Sequence, residues 1–517
     1  MRIVFVQSEF ESLAIGIMSS LLKGQGHETF MIYDTRLFDC MEIQSKTLAR
    51  LFDVKDKLIE EIEYIRPDLI AFSVLTDQYR WAVDMAGRIK KKIGVPVIFG
   101  GPHVTMVPDE VIKNDCVDMI CVGEGEGAII ELVESMEKSQ VNHGIRNLWF
   151  KDKGEVIKND VRPLVSDLDS LPFPDKLIFY EKQPSITGHY GILSGRGCPF
   201  KCTYCASDAI NRMSAKGQSY VRRRSPQNVI DELEYARKTL PFKLKTISFF
   251  DDTFTYNTEW LREFSSLYKD KIGLPFHCTG YPSTIDSEKT RILKEAGCYR
   301  IGIGVQSASE RIRKEVLDRP GSNEQIRRAA NACKEAGLTF WFDHILNIPH
   351  ETEDEEIEAL KFYNEIRPSI INVFWLIYYP RTKIIDIARD AGILDKEMVD
   401  KINKGETSTA MVVGVGGEYS FAKERVFANI AFLLHLLPLL PQSWMDKIIR
   451  KKIFLGPRFH PPLLLSIMIK ILVRIKLGQA EDSLWFIRII FKRVFENIDI
   501  KLFNRNIRLL KRKLRYA

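Results

Sequence analysis

The stretch Gly195-Arg196-Gly197-Cys198-Pro199-Phe200-Lys201-Cys202-Thr203-Tyr204-Cys205 puts three thiols in eight residues, directly after the β-type run Tyr190 to Ser194. Glycines on either side of an arginine let a chain leave a strand and turn tightly, so the cysteines fall on one loop at a strand end. A structural zinc site closes with four ligands, and no fourth Cys or His stands at a usual offset nearby. Thiolates also hold iron–sulfur clusters, and three of them on a four-iron cube leave one iron open to a chelating ligand. Cys198, Cys202 and Cys205 are therefore read as metal ligands of a [4Fe-4S] cluster. The other cysteines, Cys40, Cys116, Cys121, Cys278, Cys298 and Cys333, lie in apolar surroundings and read as small core residues.

On both sides of this loop, β-runs alternate with amphipathic helical stretches. Strands are expected at Tyr190 to Ser194, Thr246 to Phe250, Phe276 to Gly280, Arg300 to Val305, Phe340 to Leu346 and Ile371 to Tyr378. Six such units predict a partial (β/α)6 barrel over residues 186–395, with its site at the C-terminal face. Earlier runs at Ile3 to Val6, Glu28 to Tyr33, Leu69 to Leu75, Val95 to Phe99 and Met119 to Val122 are almost continuously apolar, as when helices cover both faces. They predict an N-terminal doubly wound parallel sheet over residues 1–140, so the fold class is α/β. Ligands of such sheets bind beyond the carboxyl ends of the strands. The loops there are Gln7-Ser8-Glu9, Ser73 to Thr76, Gly100-Gly101-Pro102-His103 and Gly123-Glu124-Gly125-Glu126-Gly127. Residues 141–185 read as a hairpin turning at Lys153-Gly154 and a linker containing Leu171-Pro172-Phe173-Pro174.

The 517 residues, 45% of them apolar, have room for several cores, at about 150 residues per domain. Only a handful of apolar residues separate Arg2 from Glu9, so no secretory leader is read and the reducing cytoplasm is the expected compartment. The net charge of +7 is unevenly spread: Phe421 onward holds 20 Lys and Arg against 6 Asp and Glu. Residues 396–517 are expected to be helical and basic. Their longest apolar run, Val426 to Leu440, contains His435 and Pro438 and is shorter than the roughly 20 residues that cross a bilayer. Ser466, Lys470 and Arg474 stand four apart in apolar Leu463 to Leu477, and Arg488 and Lys492 repeat the spacing in Leu484 to Phe495. These helices, with the cluster Arg505 to Arg515, read either as peripheral membrane contacts or as a subdomain packed on the barrel. Nucleic acid is not an expected partner, because the aromatic residues do not interleave as a base-stacking platform requires.

Cys-x3-Cys-x2-Cys with Tyr204 before the last cysteine resembles the motif of the radical S-adenosylmethionine superfamily. Arg2 to about Ala391 resembles its cobalamin-binding branch, the class B methyltransferase and anaerobic magnesium-protoporphyrin ester cyclase-like proteins. The resemblance implies that the open iron binds the amino and carboxylate groups of S-adenosylmethionine. One electron from an external donor such as flavodoxin or ferredoxin then cleaves the sulfonium, and a 5'-deoxyadenosyl radical takes hydrogen from a small-molecule substrate. It further implies S-adenosylmethionine contacts at Asp251 and Asp252, ending the second strand, and at Gln306 and Ser307, ending the fourth, where relatives usually carry Glu in place of Gln306. Asn347-Ile348-Pro349-His350-Glu351-Thr352 stands where relatives tend to read Gly-x-Pro-Gly-Glu-Thr, which implies a changed local backbone. Tyr379-Pro380-Arg381-Thr382 resembles a Pro-Gly-Thr element without its Gly. In the first domain the resemblance implies cobalamin contacts at Glu9, Gly101, His103, Gly123, Glu124 and Gly125. Neither His27 nor His103 has Asp two residues before it, so the implied cobalt has no lower histidine ligand.

The implied function is cobalamin-dependent methylation of an unactivated carbon on a hydrophobic metabolite, with a second S-adenosylmethionine remethylating the cobalt. Radical cyclisation or rearrangement with the same cofactors is the alternative. A non-catalytic corrinoid-responsive regulator is the remote one, and a fourth, closing cluster ligand would support it. No side chain is singled out as catalytic.

Overall fold

β-Branched and aromatic runs assemble two sheets, and the ends of strands Leu69–Ser73, Val97–Gly100, Met119–Cys121, His189–Ile192 and Thr246–Phe249 border a cavity between them. The computed structural model describes residues 1–477 apart from 37–38, 40–45, 139–140, 184–185, 214–216, 407–420, 457–458, 460 and 462. The first sheet comprises β1 (Arg2–Ser8), β2 (Glu28–Asp34), β3 (Leu69–Ser73), β4 (Val97–Gly100), β5 (Met119–Cys121), β6 (Leu148–Asp152) and β7 (Glu155–Lys158), in the order β2-β1-β3-β4-β5-β6-β7. Its first five strands are parallel, with Val4 opposite Phe30 and Ile70. Helix Tyr79–Lys92 covers one face through Trp81, Met85 and Ile89. Helices Leu13–Gly24 and Glu126–Glu137 cover the other through Ile15, Leu22 and Leu132. This two-sided burial accounts for the continuous apolar runs.

The hairpin expected within the linker instead extends this sheet, with Ile120 of β5 opposite Trp149 in antiparallel pairing. Leu148 and Phe150 are fully buried in the core that β1 and β5 share, and that apolar face draws β6 and β7 out of the linker.

The second sheet contains β8 (His189–Ile192), β11 (Thr246–Phe249), β12 (Phe276–Gly280), β13 (Cys298–Gln306), β14 (Thr339–Leu346) and β15 (Ile370–Trp375), all parallel, in the order β15-β14-β13-β12-β11-β8. The expected six units are present within a few residues of their predicted bounds. Two short strands, β9 (Gly195–Arg196) and β10 (Arg222–Arg223), pair antiparallel at its mouth, Arg196 opposite Arg222. Phe249, Phe264 and Phe276 pack edge to face at 5.3 to 6.0 Å between the strands and helix Thr258–Lys271. Truncating such a ring to Ala costs about 3–5 kcal/mol.

The tail helices pack on this barrel. Helix Phe421–Leu436 buries Phe427, Ile430 and Leu433, helix Gln442–Lys451 buries Met445 and Ile449, and helix Leu463–Lys476 buries Ile469 and Val473, all in the barrel core. His435 Nδ1 lies 3.2 Å from the Ile371 carbonyl of β15. No helix among the described residues is long and apolar enough to cross a membrane. Cys40, the side chains of Ser466 and Arg474, Leu484 to Phe495 and Arg505 to Arg515 lie outside what is described.

Candidate active site

Gly197 has φ +89°, and a Cβ there would run into the Tyr220 carbonyl, so only glycine carries the chain from β9 into the cysteine loop. Thr203 anchors that loop. Its amide donates to Leu317 O at 3.0 Å, its hydroxyl to Val316 O at 2.7 Å, and its carbonyl accepts from Ile384 N at 3.0 Å. Cys202 is buried, Cys198 and Cys205 half-buried. Burial pushes the Cys198 thiol up to about 11, the amide of Phe200 works against this, and the charge of Asp252 adds to it. Cys205 is raised by burial as well, opposed by the Ser207 amide. A cation at the loop turns such thiols into thiolates, and backbone N–H groups aimed at the sulfurs are what an iron–sulfur cluster uses. Among the described residues no three His, Cys, Asp or Glu side chains close on one point as ligands of a single ion do.

Two residues that the motif reading missed, Arg319 and Tyr281, touch the loop, and a third, Asp343, lies near Arg319. Arg319 donates to Cys202 Sγ at 3.2 Å and to the Gly304 carbonyl, and its guanidinium lies 4.1 Å over the Tyr281 ring, which stacks on Phe200 at 3.7 Å. A side chain at Gly304 would meet Arg319 Nη2 at 2.9 Å and Gln306 Nε2 at 3.0 Å. Asp343 is the β14 partner of Gly304, and its Oδ1 accepts from Trp341 Nε1 and Asn372 Nδ2, both at 3.0 Å. Burial pushes its carboxyl up to about 6 against those two bonds. Gln306, Arg319 and Asp343 thus gather beside the cysteine loop.

The two aspartates ending β11 have separate roles. Both Asp251 oxygens accept from Ser194, at 3.0 and 3.1 Å from its amide and 2.6 Å from its hydroxyl, and the residue is buried. Asp252 is exposed to the cavity, accepts from Ser207 Oγ at 3.2 Å, and its charge acts on Cys198 and Cys205. Ser307 is buried, its hydroxyl accepting from Ser309 N at 3.2 Å.

A cavity of about 540 Å³ separates the two sheets, lined by Phe72, Gly101, Thr105 and Gly123 of the first and by Arg196, Tyr220, Phe250 and Asp252 of the second. Gly101, at φ +102°, passes within what would be 2.7 Å of Val74 N if it bore a Cβ, which keeps this wall thin. Gly125 and Glu124 also line it. The Glu124 carboxylate is already engaged by Arg222 at 2.8 Å, Arg196 at 2.8 Å and Val165 N at 2.8 Å. Glu9 and His103 are buried and do not line the cavity. Glu9 meets Arg36 at 3.1 Å. The His103 ring lies tilted against that of Tyr79, 4.3 Å between centroids, with Nδ1 3.2 Å from Thr76 Oγ1, and burial lowers its pKa to about 4. The broad, largely apolar chamber, floored by backbone at its glycines, fits a large flat cofactor, and Asp252 gives it a border with the thiols.

Residues 192–363 match the radical SAM superfamily and residues 3–133 the B12 binding domain. The chain belongs to the cobalamin-binding branch of the radical S-adenosylmethionine superfamily. It is an enzyme of that branch, and its cofactors are a [4Fe-4S] cluster, S-adenosylmethionine and cobalamin. It is 29% identical to an uncharacterized methyltransferase of Pyrococcus horikoshii over 338 residues, 64% of this chain and 71% of that one. It is 22% identical to the anaerobic magnesium-protoporphyrin IX monomethyl ester cyclase of Rubrivivax gelatinosus, over 74% of this chain and 68% of that one. The fold matches the radical S-adenosylmethionine methyltransferase TsrM of Kitasatospora setae, solved with cobalamin and a [4Fe-4S] cluster, at TM-score 0.62 and 16% identity, covering 87% of this chain and 98% of that one.

At the positions where the resemblance implies glycine, Asn347, His350 and Arg381 adopt the left-handed conformation, with φ of 67°, 64° and 58°. Glu351 holds the loop by accepting from Asn347 N at 2.9 Å and Ile348 N at 3.2 Å.

Proposed function

We propose that this radical S-adenosylmethionine enzyme methylates an unactivated carbon of a hydrophobic small molecule. The observation that carries the reading is the single chamber bordered by the carboxyl edges of both sheets and by Asp252, which neighbours the thiols. When bound, the cluster with S-adenosylmethionine supplies a carbon-centred radical and cobalamin supplies the methyl group. The chain's own residues hold and shield these groups. Cys198, Cys202 and Cys205 are the iron ligands, and Asp252, an oxygen acceptor opening into the chamber, suits the ammonium of S-adenosylmethionine. Gln306 is our second S-adenosylmethionine contact. Gly101, Gly123 and Gly125 let backbone approach the corrin. Phe250, 57% exposed inside the chamber, offers an apolar surface to substrate.

The methyltransferase relative is more similar to this chain than the cyclase relative, which favours methyl transfer over cyclisation. The reading places the enzyme in the cytoplasm, in peripheral contact with the membrane and served by an external one-electron donor. Methyl transfer yields S-adenosylhomocysteine alongside 5'-deoxyadenosine. Its formation by the reduced, cobalamin-loaded enzyme with a hydrophobic acceptor supports the reading, and 5'-deoxyadenosine alone supports cyclisation or rearrangement.

A further inference from the structure

Between Lys447 and Ala480 the chain holds eight Lys and Arg and no Asp or Glu. In this segment and just before it, Met445, Ile449, Phe454, Ile469 and Val473 enter the barrel core. Other large apolar side chains stay outside. Trp444 is 61% exposed, and Ile453, Leu465, Met468, Leu472 and Ile475 are exposed as well. The last four, spaced three, four and three residues apart, share one face of helix Leu463–Lys476. Lys447, Lys451 and Lys452 are exposed, and among the described residues no carboxylate lies within ion-pair distance of them. Helix Phe421–Leu436 touches both Ile453–Leu455 and helix Leu463–Lys476, so these outer residues belong to one block.

A contiguous set of large exposed apolar side chains marks an interaction surface. An exposed aliphatic stripe on one helix, with an exposed tryptophan and lysines on the helix before it in a cation-rich segment, matches the boundary between lipid headgroups and acyl chains. We propose that this outer face of the tail block docks on an anionic membrane surface, with the aliphatic stripe and Trp444 entering the headgroup layer and the lysines meeting lipid phosphates. Charge selects this occupant. The segment Lys447 to Ala480 supplies cations and no carboxylate, which suits lipid phosphates. The contact is peripheral, in keeping with the absence of a membrane-crossing helix among the described residues, and it does not depend on which radical reaction the chamber performs.

The test is sedimentation of the full-length, cluster-loaded protein with vesicles of phosphatidylcholine, with or without phosphatidylglycerol. The wild type should pellet with the anionic vesicles at low salt and be partly released at high salt. Met468→Glu with Leu472→Glu, and separately Lys447→Glu with Lys451→Glu and Lys452→Glu, should each weaken binding by about tenfold or more. Because the substituted side chains are exposed, circular dichroism and the visible absorbance of the cluster should be unchanged. Wild-type protein that stays in the supernatant with both vesicle types overturns the proposal. So does wild-type binding by both variants, which would move the contact to residues 478–517, or capture by RNA without capture by vesicles.

Discussion

Arg196, two residues ahead of Cys198, donates to Glu124 Oε1 at 2.8 Å, so the loop that carries the thiols is fastened to the glycine-rich loop of the first domain. The same guanidinium reaches Glu126 at 2.6 Å, and Arg222, opposite Arg196 in the β9–β10 pair, holds Glu124 through a second bond at 2.8 Å. Two arginines of the barrel mouth and two glutamates of the first domain thereby set the spacing between the glycine-rich loop and the cysteine loop. A chamber that must present two cofactors to one substrate depends on that spacing.

Arg196→Ala is predicted to destabilise the protein by about 3 kcal/mol, since it takes the arginine from the buried Glu126 carboxylate and leaves Glu124 to Arg222 and Val165 N. Although burial opposes it, the Arg222 bond and the Arg196 charge hold Glu124 below the usual carboxylate range. Its contribution is therefore present above the unfolded value and is lost as pH falls through the lowered folded value. Thermal unfolding from pH 7 to pH 3 checks this. The wild type should lose its advantage over Glu124→Gln on the acid side, and parallel curves would remove the pair from the account.

Asp252→Asn is predicted to weaken S-adenosylmethionine binding by roughly tenfold, the loss of one charge-assisted hydrogen bond, with little change in melting temperature. Asp251→Asn should do the reverse. It disturbs the bonds to Ser194 and costs about 1–3 kcal/mol. Calorimetric titration and unfolding of both variants separate the two carboxylates, and equal effects would show that they act together.

His350→Gly and Arg381→Gly are predicted to raise stability by up to about 1 kcal/mol each. Both positions sit in the left-handed region, where a β-carbon is strained. Asn347→Gly should gain less, because Asn tolerates that region. Denaturant midpoints measure the order, and destabilisation by all three would show that their side chains hold the loops.

Local features of the chain were legible before any coordinates. The cysteine spacing, the alternation of β-runs and the glycines at strand ends need only neighbouring residues to be read. Which aspartate faces the chamber was not legible, because Ser194 claims Asp251 across 57 positions of sequence. Arg319 lies in the turn Asp318-Arg319-Pro320-Gly321, which carries no motif, and only folding brings it to Cys202. Asp343 did leave a signal, as the carboxylate in the run Phe340 to Leu346, which is apolar apart from it and His344. At His103 the glycine-rich neighbours line the chamber, whereas the imidazole is buried on helix Pro102–Met106.

The shared chamber is tested most directly by anaerobic reconstitution of the full chain with iron, sulfide and cobalamin, followed by metal and corrinoid analysis of wild type and Cys202→Ala. The account predicts about four irons and one corrinoid per wild-type chain, and in Cys202→Ala loss of the cluster and of S-adenosylmethionine cleavage with the corrinoid retained. A wild-type chain that takes up the cluster but no corrinoid, or a Cys202→Ala variant that still cleaves S-adenosylmethionine, contradicts it.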